Sequence, residues 1–190
     1  MLGEIDGLGH ERSHDPGPLQ PALHGRGKRC EIGRGMRTGA RHPAVSDRLF
    51  RNDGGRFTDV SEQAGIRDGI DGYGLGVVAG DVNGDGCPDI YVANDFQGDD
   101  LLYLNRCDGT FAESIAQATA HTSRFSMGVD AADFDNDGRP DLMVVDMLPE
   151  REEILKTSAN AESFDLYNLR LQAGYHPQFA RNSLQLNRGG

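Results

Sequence analysis

Two nine-residue stretches carry a spacing of acids that can do chemistry. They are Asp81-Val82-Asn83-Gly84-Asp85-Gly86-Cys87-Pro88-Asp89 and, fifty-two positions later, Asp133-Phe134-Asp135-Asn136-Asp137-Gly138-Arg139-Pro140-Asp141. Carboxylate or amide oxygens recur at positions 1, 3, 5 and 9: Asp81, Asn83, Asp85 and Asp89 in the first, Asp133, Asp135, Asp137 and Asp141 in the second. Oxygen ligands so spaced suit one hard cation, and the backbone carbonyl at position 7, Cys87 or Arg139, adds a fifth donor. Two calcium ions are therefore the expected cofactors. Acids this crowded repel one another unless a cation neutralises them. Gly86 and Gly138 stand at position 6, where a chain wrapping an ion turns sharply. An acidic turn without an ion is the plain alternative, because Asp, Asn and Gly are favoured in any loop. Recurrence of the whole pattern in register argues against it.

The residues that leave the loops decide the kind of site. An EF-hand needs an acidic ligand at position 12 and a helix beyond it, but position 12 is Val92 or Val144. Asp89-Ile90-Tyr91-Val92-Ala93 and Asp141-Leu142-Met143-Val144-Val145 are rich in apolar and β-branched residues, and both follow a proline. They are predicted to be strands buried on both faces. Each ion would then clamp a turn between two strands.

The formal charge is −11 and unevenly spread. Residues 1–46 hold seven Arg or Lys against five acids (+2), leaving twelve against twenty-five (−13) for residues 47–190. A surface that acidic repels nucleic-acid phosphates and offers no basic strip for anionic lipid. No apolar run reaches the roughly 18 residues that span a bilayer. Cys30, Cys87 and Cys107 lack metal-ligand spacing, and a Cys87–Cys107 disulfide is left open because spacing cannot establish geometry.

Residues 1–46 show neither helical nor alternating periodicity and are expected to be disordered or irregular, without a signal peptide. Leu49 to Val60 reads as a hairpin around Asn52-Asp53-Gly54-Gly55. The device returns at Leu102 to Glu113, and its first half returns at Leu184 to Gly190. Between hairpins come an Ala-containing stretch, a lead-in strand of small residues (Gly76 to Gly80, Gly128 to Ala132), the acidic loop and a buried strand. The period is about fifty residues, with four antiparallel strands per unit, the plan of a β-propeller blade. The expected fold is all-β, a partial propeller of about two and a half four-stranded blades over residues 47–190. A helical insertion is expected at about 149–180, with helices over Glu150 to Lys156 and from Ser163 to Leu171, Ser163 acting as a cap.

At these residues the chain resembles the FG-GAP or VCBS repeat family, the calcium-binding propeller repeats also found in integrin α-subunits. Gly76 to Asp89 is the strongest match and Gly128 to Asp141 the second, with Tyr73-Gly74 and Phe125-Ser126 standing where Phe-Gly is typical. Asp146-Met147-Leu148-Pro149-Glu150, with Arg181 to Asn187, resembles more narrowly the bacterial relatives of cartilage acidic protein, the ASPIC/UnbV group. The resemblance implies a seven-bladed, secreted or cell-surface propeller, of which this chain would hold a fragment completed by further blades. The function it implies is non-catalytic binding or adhesion to an extracellular protein or glycan. The alternative is a non-catalytic part of a carbohydrate-active or other secreted enzyme. His121 and His176 have no recognisable Ser or Cys partner motif and are expected to be surface residues. Phe164, Tyr167, Tyr175 and Phe179 on the insertion are candidates for stacking on sugars or for packing.

Overall fold

A computed structural model describes residues 2–5, 46–67, 72–96, 98–147, 149–157 and 163–189. The first acidic loop sits in a complete antiparallel sheet of β4 (Gly74–Gly80), β5 (Asp89–Asn94), β6 (Leu101–Asn105) and β7 (Phe111–Glu113), paired in chain order. Each strand pairs with its sequence neighbour because tight turns or short loops join them. The second loop joins β9 (Ser126–Ala132) to β10 (Asp141–Asp146), and β10 pairs antiparallel with β12 (Ser183–Asn187). Before both units lies the lone hairpin of β2 (Phe50–Asp53) and β3 (Arg56–Asp59). Its turn holds Gly54 and Gly55 at φ 67° and 97°, and Gly55 N–H donates to Asn52 Oδ1 at 2.7 Å. One whole blade, a second blade and an outer hairpin make the all-β partial propeller that the repeat implies.

The outer edge of the second blade differs from the expected antiparallel plan. Its fourth strand is β1 (Leu2–Ile5), which pairs with β12 in parallel. Four residues give too short a window for a periodic signal. The rest of the segment expected to be irregular, and Cys30 with it, lies outside the described residues.

Burial follows the predicted two-sided strand in β5 but not in β10, where Met143 is half-buried and Val145 is 41% exposed. In β5, Tyr91 and Ala93 join Leu102, Leu142, Val144 and Val82 in a core between the blades. Val92, on the opposite face, packs with Leu101, Tyr103, Ala64 and Ile66. The two lead-in strands meet closely, for a Cβ on Gly76 would stand 2.9 Å from Gly128 Cα. Only glycine admits that approach. Alternation then aims Leu75 and Val77 away from the second blade, where they are 54% and 69% exposed.

The insertion lies between β10 and β12. It contains α2 (Glu152–Thr157) and α3 (Phe164–Ala173), with Ser163 accepting from Leu166 N–H at 3.2 Å and Gly174 closing α3 at φ 92°. Its return leg forms β11 (Gln178–Phe179), paired in parallel with β8 (Thr122–Ser123), which follows the short α1 (Ile115–Ala118). Gln178 Nε2 donates to Gly98 O at 2.8 Å, and His176 N–H donates to Asp99 Oδ2 at 3.3 Å. The insertion thus folds back onto the first blade.

Asp100 joins the blades. Fully buried, it accepts from Asn94 N–H at 2.8 Å, Tyr91 OH at 2.7 Å and, from the second blade, Ser126 OH at 3.0 Å. In the second unit Asn182 takes the same place, its Oδ1 accepting from Asp146 N–H at 2.8 Å. Burial pushes the Asp100 carboxyl up to about 7, against the opposing pull of its three donors. The native state then keeps a proton that the unfolded chain, with an ordinary Asp pKa near about 3.9, releases. Stability from this group is complete below about pH 4 and is lost as pH rises to about 7. Asp100→Asn, which copies the second unit, is expected to flatten that part of the stability profile. Urea unfolding of both proteins between pH 4 and 8 checks this, and parallel slopes would count against it.

Candidate metal centre

Both acidic loops are built by the same local bonds. At position 1, Asp81 accepts from the N–H groups of Gly84, Asp85 and Gly86 at 2.8, 3.1 and 2.8 Å. Asp133 accepts from those of Asp137 and Gly138 at 3.0 and 2.9 Å. At position 5, Asp85 and Asp137 accept from Cys87 and Arg139 N–H at 2.8 and 2.9 Å. Position 6 is left-handed in both, with Gly86 at φ 88° and Gly138 at 89°. Position 4 is left-handed too, as Gly84 at 76° and as Asn136 at 60°, a residue that tolerates this region better than most.

Position 9 anchors each loop to the sheet. Asp89 and Asp141 are 1% and 0% exposed, so their oxygens must be satisfied inside the protein. Asp89 accepts from Val82 N–H at 2.9 Å and Asn105 N–H at 2.7 Å. Asp141 accepts from Phe134 N–H at 2.8 Å and Asn187 N–H at 2.7 Å. Each oxygen keeps a second lone pair. Burial raises the Asp89 carboxyl above the usual Asp value, the two N–H donors oppose the rise, and Asp85 and Asp81 add to it.

The loops differ in how their acids converge. Oxygens of Asp133, Asp135 and Asp141 lie within 4.8 Å of one another. Asp137 stands outside this trio, its other oxygen accepting from the Arg139 guanidinium, which reaches on to Asn187 O at 3.1 Å. The matching places in the first loop are Asp81, Asn83 and Asp89, so one charge fewer faces the centre. Asn83 Nδ2 donates to Asp85 at 2.8 Å. Asp85 also lies near Cys87 and Cys107, but these sulfurs are joined in a disulfide with Cα atoms 5.7 Å apart and are no thiolate ligands. The trio in the second loop fits a hard divalent cation: oxygen donors only, with three carboxylates and one of them buried.

Position 7 ties each loop to the next hairpin, a role the sequence shows only as an open Cys87–Cys107 pairing and not at all for Arg139. Cys87 does so through the disulfide to Cys107, and Arg139 through Asn187 O and contact with Gly189, whose Cβ would lie 3.6 Å from the guanidinium carbon. Asn105 and Asn187 were missed as well. Their signal was the recurring Leu-x-x-Asn of Leu49 to Asn52 and Leu-x-Leu-Asn of Leu102 to Asn105 and Leu184 to Asn187.

Two expectations change. His121 is buried rather than at the surface, its ring edge-on to Phe179 with centroids 5.4 Å apart. His176 is half-buried and shares a hydrogen bond with Thr119 Oγ1 at 3.2 Å. Burial lowers the pKa of both. Of the four aromatics offered for stacking, Tyr167 stacks on Phe179 at 5.9 Å and Tyr175 lies under Arg170, whereas Phe164 is 77% exposed.

Four-stranded sheets joined at their inner strands, repeated with one loop design, define an all-β repeat protein of propeller type. The family model described as FG-GAP-like repeat matches residues 40–92 and 81–144, more than half of the chain. The chain belongs to that family, whose repeats are typically non-catalytic structural modules. No curated protein matches the sequence. Among the described residues, no helix is long and apolar enough to cross a membrane.

The disulfide closes a span of twenty residues, from position 7 of the first loop through β5 and β6 to the turn beyond them. Replacing both cysteines, Cys87→Ser with Cys107→Ser, is expected to cost about 3 kcal/mol. That lowers the unfolding midpoint by about 6 to 12 °C for a chain of this size, and calorimetry reads it against the oxidised protein. An equal midpoint would remove the disulfide from the account of stability.

Proposed function

We propose that this chain is a calcium-stabilised, non-catalytic propeller module that binds a partner outside the cytoplasm. The observation that carries the reading is the convergence of Asp133, Asp135 and Asp141 in a loop whose design recurs at Asp81 to Asp89. The proposed ligands are Asp133, Asp135, Asp137, Asp141 and the Arg139 carbonyl in the second loop, and Asp81, Asn83, Asp85, Asp89 and the Cys87 carbonyl in the first. Calcium there supplies charge neutralisation and fixes the turn between two strands. Asp89 and Asp141, held by backbone N–H groups, place their oxygens before any cation arrives.

The Cys87–Cys107 disulfide supports a secreted or cell-surface setting, where such bonds persist. Asp146 to Glu150 and Arg181 to Asn187, the residues that resemble the cartilage-acidic-protein group, flank the insertion. Asp146 accepts from the Arg124 and Phe125 N–H groups at 3.1 and 3.0 Å, and its own N–H bonds Asn182, so both ends of the insertion are fixed to the blade. The partner surface we assign to the insertion. Phe164, Leu166 and Leu169 of α3 are exposed at 77%, 46% and 60%, apolar surface that favours a protein partner over a glycan. The uncovered Leu75 and Val77 of β4 suit a further blade of the same kind. A glycan array set beside a protein-binding screen separates the two partner classes.

Calcium at about ten times Kd is expected to add about 1.4 kcal/mol per site, or about 3 to 6 °C in midpoint. Thermal unfolding with calcium and with chelator tests it, and identical midpoints would sink the metal reading. The second loop is expected to bind about tenfold more tightly than the first, because it presents one more carboxylate. Asn83→Asp and Asp135→Asn should move the two affinities towards exchange in calorimetric titrations. Affinities that ignore both substitutions would mean loop geometry outweighs charge.

A further inference from the structure

We propose that Asn187 couples the two acidic loops, so that calcium in the second raises the affinity of the first. The inference rests on the calcium reading above. Asn187 is 1% exposed and serves both loops at once. Its N–H donates to Asp141 Oδ1 at 2.7 Å, and its carbonyl accepts from Arg139 Nε at 3.1 Å, both residues of the second loop. Its side-chain amide donates to Pro140 O at 3.2 Å and, across the blade boundary, to Val82 O at 2.7 Å. Val82 is position 2 of the first loop, and its own N–H donates to Asp89 Oδ2 at 2.9 Å. A continuous line of buried bonds therefore runs from the ligand Asp141 through Asn187 and Val82 to the ligand Asp89.

The repeat supplies an internal control. Asn105 occupies the same place in the first unit, with its N–H on Asp89 at 2.7 Å and its amide on Pro88 O at 3.0 Å. Among the described residues its hydrogen bonds stay within its own unit, whereas those of Asn187 span two. Fixing Asp141 with a cation fixes the Asn187 backbone, and the Asn187 amide then holds Val82 in the position that aims its N–H at Asp89. The ordering cost of that line is met once for two ions, which makes the second binding event easier. Through-space electrostatics has the opposite sign, since a cation in one loop repels a cation in the next. Positive coupling is thus the signature of the bonded line, and by linkage it acts in both directions.

The test uses the 190-residue chain. Calcium affinity of the first loop is measured by calorimetry with the second loop intact and with it disabled by Asp133→Asn and Asp135→Asn. Disabling it is expected to weaken the first loop about fivefold, the low end of typical couplings. In an Asn187→Ala background the first loop should no longer respond, and in an Asn105→Ala background it should respond as before. Should Asn187→Ala not fold, hydrogen exchange decides. At one free calcium concentration, the amides of Val82 and Gly84 to Cys87 should exchange faster in the disabled variant than in the unaltered chain. Calcium binding with a first loop that is indifferent to the second, or tighter without it, overturns the coupling alone. Absence of calcium binding at both loops overturns the calcium reading and the coupling together.

Discussion

Asp89 and Asp141 are the constraint on which the rest depends. Each is a buried carboxylate at the first residue of a strand, and each gathers two backbone N–H groups from different parts of the chain. Removing one would leave two buried donors unsatisfied, at about 1 to 3 kcal/mol each. Through these bonds the loop, the central strand and the following hairpin become one rigid unit. The acids at positions 1 and 5 then close the loop on itself by accepting from the backbone N–H groups that follow them. The fold thus outlines the ligand shell, and an ion that enters it further orders the bonds that hold Asp89 and Asp141.

The two units reach one geometry with different chemistry. Between loop and hairpin stands a disulfide in one and an arginine in the other. At the base of the inter-strand loop stands a carboxylate in one and an amide in the other. Asp100 also reaches the neighbouring blade, through Ser126. A buried carboxylate with three donors is well placed to accept, yet its burial resists ionisation, so the seam holds a tension between hydrogen bonding and desolvation.

Much of this was legible because the sequence repeats. Two acidic loops in register, each followed by apolar strands, fix the order of β4, β5, β9 and β10, since a loop of that form can only join adjacent antiparallel strands. Gly86 and Gly138 were legible because position 6 demands a left-handed residue. The strand β1 was not, since four residues carry no period. Burial of His121 was not, because it depends on Phe179, far along the chain and delivered by the insertion. The roles of Asn105 and Asn187 were written in the repeat but looked like turn residues, and only tertiary contact shows what their amides hold.

The insertion reverses the usual logic of a helix. In α3 the buried residue is Arg170, which donates to Gln178 and lies over Tyr175 at 5.0 Å, while Phe164, Leu166 and Leu169 face outwards. A helix whose stability came from its own core would place leucine inwards and arginine outwards. Here a charged side chain fixes the inner face through polar contacts, and Gln178 passes that anchorage on to Gly98 of the first blade. Phe164 and Leu169 stay more than half exposed. Their exposure is costly in water, and a partner that covers them would recover that cost as binding energy, on a platform that the blades already hold still.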